Sequence, residues 1–242
     1  MNIAVIFAGG VGSRMNSKDK PKQFLMVHGK PIIVHTIEIF QNHPEIDGIV
    51  VVCVEGWIDY MKELAYRYRL EKIAKVVQGG KTGQLSIYNG LKAAAEAYGT
   101  DDNIVLIHDG VRPLISAETI SNNIESVKEH GSAITTVPAQ ETVVVVNDDE
   151  NVSEIVVRSH ARLARAPQSF YLKEILEAQE KAISEGFTDM TDSCTLMMHY
   201  NKKLVTIAGE KNNIKITTPE DFYTFRALSD AKENLQLDLS AK

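Results

Sequence analysis

The chain has 242 residues, 44% of them hydrophobic and 24% charged, with a net charge of −6. That length carries a full core in one domain, and the negative balance argues against a broad phosphate-neutralising surface for nucleic acid. Two cysteines, Cys53 and Cys194, are too few and too far apart for a disulfide framework or a zinc site; each sits in an apolar stretch and reads as a buried free thiol.

Residues 3–7 read as a buried strand that begins at once, with no basic region, apolar segment or cleavage site ahead of it. No apolar run approaches the roughly eighteen residues of a membrane span, so a cytoplasmic protein without a membrane partner is expected. The strand opens into Ala8-Gly9-Gly10-Val11-Gly12-Ser13-Arg14-Met15, and Pro21-Lys22-Gln23 follows. A strand ending in a glycine-rich turn presents a row of backbone N–H groups, a cradle for polyanions.

Residues 31–41 are predicted to be a helix with Ile32, Ile33, Thr36, Ile37 and Phe40 on one face. The β-branched run 49–54 reads as a strand covered on both faces, 57–68 as an amphipathic helix, 74–78 as a strand and 86–98 as a helix. A buried strand follows at 103–107, and a helix at 116–130 opens with Ser-x-x-Thr. This alternation predicts an α/β fold with a mostly parallel sheet sandwiched by helices.

The alternation stops after a strand at 133–137. Residues 141–146 and 152–158, joined by Asn147-Asp148-Asp149-Glu150-Asn151, read as a hairpin. Its valine run is too apolar for a ribbon standing alone, and a second subunit is the simplest cover. Helices at 171–185 and at 189–199, the second starting near Thr191-Asp192, short strands at 203–208 and 214–216, and a closing helix at 219–231 complete the chain. A polar, frayed tail is expected over 232–242.

The glycine loop lacks the third glycine of a dinucleotide fingerprint, because Met15 stands there. Gly79-Gly80-Lys81-Thr82 imitates the end of a P-loop, but the leading glycine of that pattern is replaced by Lys75. A different phosphate chemistry remains. Nucleotidyl transfer needs fixed cations around the α-phosphate, a carboxylate for Mg²⁺ and a pocket that stabilises the leaving pyrophosphate. Arg14 and Lys22 suit the cation role; a solvated loop arginine is the plainer reading of Arg14.

Asp109 follows a buried strand at the end where open α/β sheets bind ligands. It could serve the metal, or it could cap its own turn and pair with Arg112. Lys215 lies between two isoleucines and either points to solvent or is held against an anion. Arg158, Arg162 and Arg165 on or after the hairpin are either a phosphate clamp for a neighbour's cleft or solvated interface charges. The other histidines, His28, His35, His43, His130, His160 and His199, show no metal-ligand spacing.

Together these segments resemble the 2-C-methyl-D-erythritol 4-phosphate cytidylyltransferase family and its ribitol-5-phosphate cytidylyltransferase relatives. The carrying motifs are Ala8-Gly9-Gly10-x-Gly12-x-Arg14-Met15, Pro21-Lys22-Gln23-Phe24-Leu25, Gly29-x-Pro31-Ile32, His35-Thr36, His108-Asp109-x-x-Arg112-Pro113, Pro167-Gln168, Thr191-Asp192 and Asn213-Ile214-Lys215-Ile216-Thr217-x-Pro219-Glu220-Asp221. The resemblance implies a Rossmann-like three-layer nucleotidyltransferase fold, a single domain over 1–242 with a protruding β-hairpin arm at about 139–160, and a homodimer built through that arm. It implies transfer of CMP from CTP to a sugar-alcohol phosphate, with Mg²⁺ as cofactor.

On that basis Arg14, Lys22 and Lys215 would stabilise the transition state. Ala8, Gly9, Gly10, Gly12, Gly80 and Ser86 would hold the nucleotide, and Asp109 would sit at the nucleotide and metal. Thr142 and Arg158 on the swapped arm, with Arg112, Thr191 and Asp192, would bind the acceptor. Lys81-Thr82-Gly83-Gln84-Leu85 departs from the family pattern, which carries an acid and a base after the paired glycines. Val111, Cys194 and Trp57-Ile58 are similar to the ribitol-phosphate branch. The erythritol-phosphate reaction is the alternative, and a non-catalytic nucleotide-binding protein on the same fold is a rival of another class.

Overall fold

The computed structural model describes residues 1–10 and 20–234, so Gly12, Arg14 and Met15 of the glycine loop lie outside the described residues. A seven-stranded sheet organises the chain, preceded in part by a small two-stranded ribbon. Strand β1 (Asn2–Ala8) is followed by the ribbon β2 (Met26–Val27) and β3 (Lys30–Pro31), then α1 (Ile32–Gln41), β4 (Gly48–Cys53), α2 (Ile58–Arg67) and β5 (Ile73–Gln78). The next elements are α3 (Gly83–Tyr98), β6 (Ile104–Asp109), α4 (Ala117–His130) and β7 (Ser132–Pro138). The hairpin β8 (Val144–Val146) and β9 (Val152–Ile155) precedes β10 (Arg162–Tyr171), α5 (Leu172–Ser184), α6 (Ser193–His199), β11 (Thr206–Ala208) and α7 (Pro219–Asn234).

The large sheet runs β11-β7-β10-β6-β1-β4-β5. β1 pairs in parallel with β4 and β6, β4 with β5, and β7 with β11, whereas β10 is antiparallel to both neighbours. Side-chain alternation along each strand divides the core. Ala4, Ile6, Ile49, Val51 and Leu106 point to the side covered by α1, α2 and α4. Ile3, Val5, Val50, Val52, Val105 and Ile107 meet α3, α5 and α6 on the other. The central strands β4 and β6 are therefore buried along their whole length, which is why their sequences are unbroken apolar runs.

Local signals set the helix ends. The Ser116 hydroxyl accepts from Thr119 N at 3.0 Å at the start of α4, and Gly131, at φ 83°, closes it in a left-handed conformation. Thr82 and Asp192 cap α3 and α6 in the same way.

Several expectations are corrected. The stretch 162–171 is a ten-residue strand where no element is expected over 162–170, and Tyr171, expected to open a helix, closes the strand. Residues 214–216 form no strand: Ile216 N donates to Val111 O at 2.9 Å, but no ladder continues from it. The β11 strand is three residues rather than six, whereas α6 begins at Ser193 with Asp192 as its cap, next to the expected start at Thr191-Asp192. The closing helix runs to Asn234, past the expected start of the tail; residues 235–242 lie outside the described residues. Cys53 is buried but Cys194 only partly so.

The hairpin stands away from the core with Val144, Val145, Val146, Val152 and Ile155 all more than 40% exposed. Its strands are shorter than expected, β9 stopping at Ile155, and a 3₁₀ turn follows at Arg158–His160. Among the described residues, no helix is long and apolar enough to cross a membrane.

Candidate active site

A cleft of about 720 Å³ opens at the carboxyl ends of β1, β5 and β6. One wall is the end of β1, where Ala8, Gly9 and Gly10 expose backbone, and the facing wall is Gly79, Gly80 and the start of α3. The two glycine pairs approach closely: a Cβ on Gly79 would lie 3.1 Å from both Gly9 Cα and Ser86 Oγ. No larger residue fits that contact without moving backbone. Ser86 Oγ accepts from Gly80 N at 3.0 Å and donates to Thr82 O at 2.9 Å, which fixes the turn into α3.

The segment that departs from the family pattern thus has a defined structure. Thr82 Oγ1 accepts from Leu85 N at 3.2 Å, and Gln84, 3% exposed, bridges Phe187 O and Met190 N. Lys81 and Gly83 line the cleft directly.

Lys22 sits on a short 3₁₀ turn, Lys22–Phe24, entered through Pro21 at φ −55°. Phe24 is fully buried and stacks on Trp57 with ring centroids 5.0 Å apart. Gln23, 1% exposed, donates its amide to Ala8 O at 2.7 Å and Gly10 O at 3.3 Å. These two anchors leave Lys22 at the cleft, where its ammonium donates to Ile216 O at 3.0 Å. Gln23 is a functional residue that the sequence marks only weakly, as a polar side chain next to the buried aromatic Phe24.

Asp109 is the last residue of β6, not the one after it, and is 4% exposed. Lys215 Nζ lies 2.6 Å from its Oδ1, and Arg112 Nε donates to its Oδ2 at 3.1 Å. Burial pushes the carboxyl up, but Lys215 and Arg112 outweigh it, helped by the Lys215 hydrogen bond and His108, and hold the pKa down to about 2. Asp109 is a carboxylate at any working pH. Lys215, the expected strand lysine, instead reaches an anion from a non-ladder segment, and both groups line the cleft.

His108, one residue earlier, is fully buried, donating from Nε2 to Arg112 O at 3.1 Å while its Nδ1 has no partner. Burial lowers its pKa from 6.5 to about 4, although Asp109 and the Arg112 carbonyl favour the proton. The unfolded chain therefore binds a proton near pH 6.5 that the folded chain refuses until about pH 4. Stability should fall by about 2 kcal/mol as the pH drops from about 6.5 to 5. Urea midpoints of the wild type and of His108→Gln across that window test this; an equal slope in the variant assigns the loss elsewhere.

The other expected site residues divide. Ala8, Gly9, Gly10, Gly80, Ser86, Lys22, Asp109 and Lys215 share the one cleft. Arg112 is 6% exposed and spends its guanidinium on Asp109 and on Asn213 O at 2.7 Å, so it stands behind the cleft rather than open to an acceptor. Asp192 accepts from Thr195 N and Gln168 Nε2, both at 2.8 Å, as a helix cap, and Thr191 before it is exposed. Thr142 and Arg158 meet each other on the exposed arm at 3.1 Å, and neither lines the cleft of its own chain.

A cleft with glycine-backbone walls, lined by Lys22 and by a Lys215 paired with a buried carboxylate, is suited to a triphosphate. Comparison with known proteins gives the same direction. A family model described as 2-C-methyl-D-erythritol 4-phosphate cytidylyltransferase matches residues 2–229. A Streptococcus agalactiae serotype V protein named ribitol-5-phosphate cytidylyltransferase is 62% identical over 237 residues, covering 98% of each chain. A Vibrio parahaemolyticus protein of the same name is 51% identical over 98% of this chain and 99% of its own. The crystal structure of 4-diphosphocytidyl-2C-methyl-D-erythritol synthase from Anaerococcus prevotii superposes with a TM-score of 0.82 at 30% identity, over 95% of this chain and 96% of the other. The chain belongs to the 2-C-methyl-D-erythritol 4-phosphate cytidylyltransferase family.

Proposed function

We propose that the protein transfers CMP from CTP to ribitol 5-phosphate, giving CDP-ribitol and pyrophosphate. An oxygen of the acceptor phosphate attacks the α-phosphorus, the bond from it to the bridging α–β oxygen breaks, and its electron pair leaves on pyrophosphate. The observation that carries this reading is Lys215 set 2.6 Å from Asp109 in the glycine-walled cleft that Lys22 also lines. Those cations meet the charge that grows on the α-phosphate during attack. Arg14 belongs to the same proposed set, and the backbone of Gly9, Gly10 and Gly80 would hold the nucleotide.

Mg²⁺ fits this donor set in one way. Among the described residues no group of three acidic, histidine or cysteine side chains forms a protein cage. Mg²⁺ in nucleotide sites commonly uses one or two carboxylates together with phosphate oxygens. Asp109 would hold it, and the ion would supply charge neutralisation along the triphosphate.

The acceptor choice is supported by the 62% and 51% identities to proteins named for ribitol 5-phosphate. We also propose a homodimer, with the apolar arm covered by the second copy and Thr142 and Arg158 reaching the second copy's acceptor. The exposed valines of the hairpin support that cover.

The test is pyrophosphate release with CTP, Mg²⁺ and either ribitol 5-phosphate or 2-C-methyl-D-erythritol 4-phosphate, alongside light scattering. Turnover with the ribitol compound is expected. Turnover confined to the erythritol compound would reverse the acceptor assignment, and a monomer would remove the role of the arm in trans.

A further inference from the structure

Behind the cleft lies a set of bonds that the reaction itself does not call for. Strand β10 loses register with β7 between Ala164 and Gln168, so the residues between them have no ladder partner on that side. Asn213 fills the gap: its Nδ2 donates to Ala166 O at 3.0 Å. In return Arg165 Nη1 donates to Asn213 O at 3.0 Å, the same oxygen that accepts Arg112 Nη1 at 2.7 Å. Each segment thus grips the other's backbone with a side chain. Asn213 is fully buried, so its bonds to Ala166 and Arg112 compete with no water, while the Arg165 bond lies at the edge of the buried region.

Two residues beyond Asn213 stands Lys215, and one further Ile216 N is tied to Val111 O at 2.9 Å. Lys215 is therefore suspended between two anchored points, both fixed to the segment that carries Asp109 and Arg112. Sharing one carbonyl sets two guanidiniums side by side; burial and then Arg112 lower the Arg165 pKa. No acid stands within ion-pair distance of Arg165 among the described residues. Arg165 also lines a second cavity, about 320 Å³, with Val137, Val143, Leu163 and Lys211 at the foot of the arm.

We propose that Arg165 and Asn213 are positioning residues, a reciprocal latch that fixes Lys215 against Asp109 and joins the foot of the arm to the reaction centre. The inference rests on the reading that Lys215 acts on the phosphates of the proposed reaction. A misplacement of about 1 Å in such a group costs about a hundredfold in rate. Opening the latch should therefore lower kcat and spare binding of CTP.

Arg165, only partly buried, is the residue to change. Arg165→Leu should lose about ten- to a hundredfold in kcat, with the KM values for CTP and acceptor nearly unchanged. Arg165→Lys, which keeps a donor and a charge, should recover part of that loss. Labelling of lysines by an acetylating reagent, read by mass spectrometry, adds a measure independent of activity: Lys215 should react several-fold faster in Arg165→Leu than in the wild type. Unchanged kcat and labelling would overturn the latch. A raised acceptor KM at constant kcat would overturn it too, because Arg165 would then be a substrate contact. Should the wild type transfer cytidylyl to neither alditol phosphate, the proposed reaction fails, while Lys215 labelling still decides the latch.

Discussion

Lys215→Met is expected to lower kcat by about 10²–10³ while the folded protein loses no more than about 1 kcal/mol. Two observations separate those effects. The side chain is 42% exposed, and Asp109 keeps Arg112 as a partner when the lysine goes, so no buried charge is stranded. Methionine preserves the apolar stem that carries Nζ to 5.8 Å from the Phe7 ring centroid, so packing at the cleft floor changes little. Catalysis loses a cation that both pairs with Asp109 and lines the cleft, which the Arg112 guanidinium behind it does not. Charge at the α-phosphate is greatest in the transition state, so the loss falls on kcat more than on the KM for CTP. Pyrophosphate release at saturating CTP, with a urea titration of the same preparations, measures both. A variant within a few-fold of wild-type kcat would remove Lys215 from the chemistry and leave its contact with Asp109 as packing.

How much of this was legible before the fold was known depends on what each residue had to satisfy. The central strands were plain, because burial on both faces leaves no polar position in β4 and only Asp109 and its histidine neighbour at the end of β6. The β10 strand was not legible. It starts in exposed Arg162, carries Arg165 and Pro167, and is broken by a register shift, so no alternation survives in its first half. The Ile-Lys-Ile pattern around Lys215 gave the opposite error, imitating a strand where isolated anchors hold an irregular segment. For Asp109 the reading as a partner of Arg112 holds, and the same carboxylate also lines the cleft. The cleft's glycine walls were found from their motif, whereas Gln23 and Asn213 act through backbone carbonyls far away in sequence. For Asn213 such a partner leaves no pattern in a single chain.

Asp109→Asn should be the most destabilising single change at the site, by about 3–5 kcal/mol. Asparagine keeps the shape and can still accept from Arg112, but it leaves a guanidinium that is 6% exposed without a counter-charge. Arg112 cannot escape to water, because its other arm is bound to Asn213 O and its carbonyl to His108. The expected pH behaviour follows from the depressed carboxyl. Its contribution is present above the unfolded value of 3.8 and is lost as pH falls from there through about 2, so at neutral pH the wild type has the whole of it. The variant should therefore show its full deficit at pH 7 and a smaller one near pH 3. Replacing both partners, Asp109→Asn with Arg112→Met, should restore part of the stability, since an apolar side chain does not need the missing charge. Urea midpoints of the four proteins give the coupling directly. Strict additivity would mean that the pair, although 3.1 Å apart, does not act as a unit and that Lys215 alone balances Asp109.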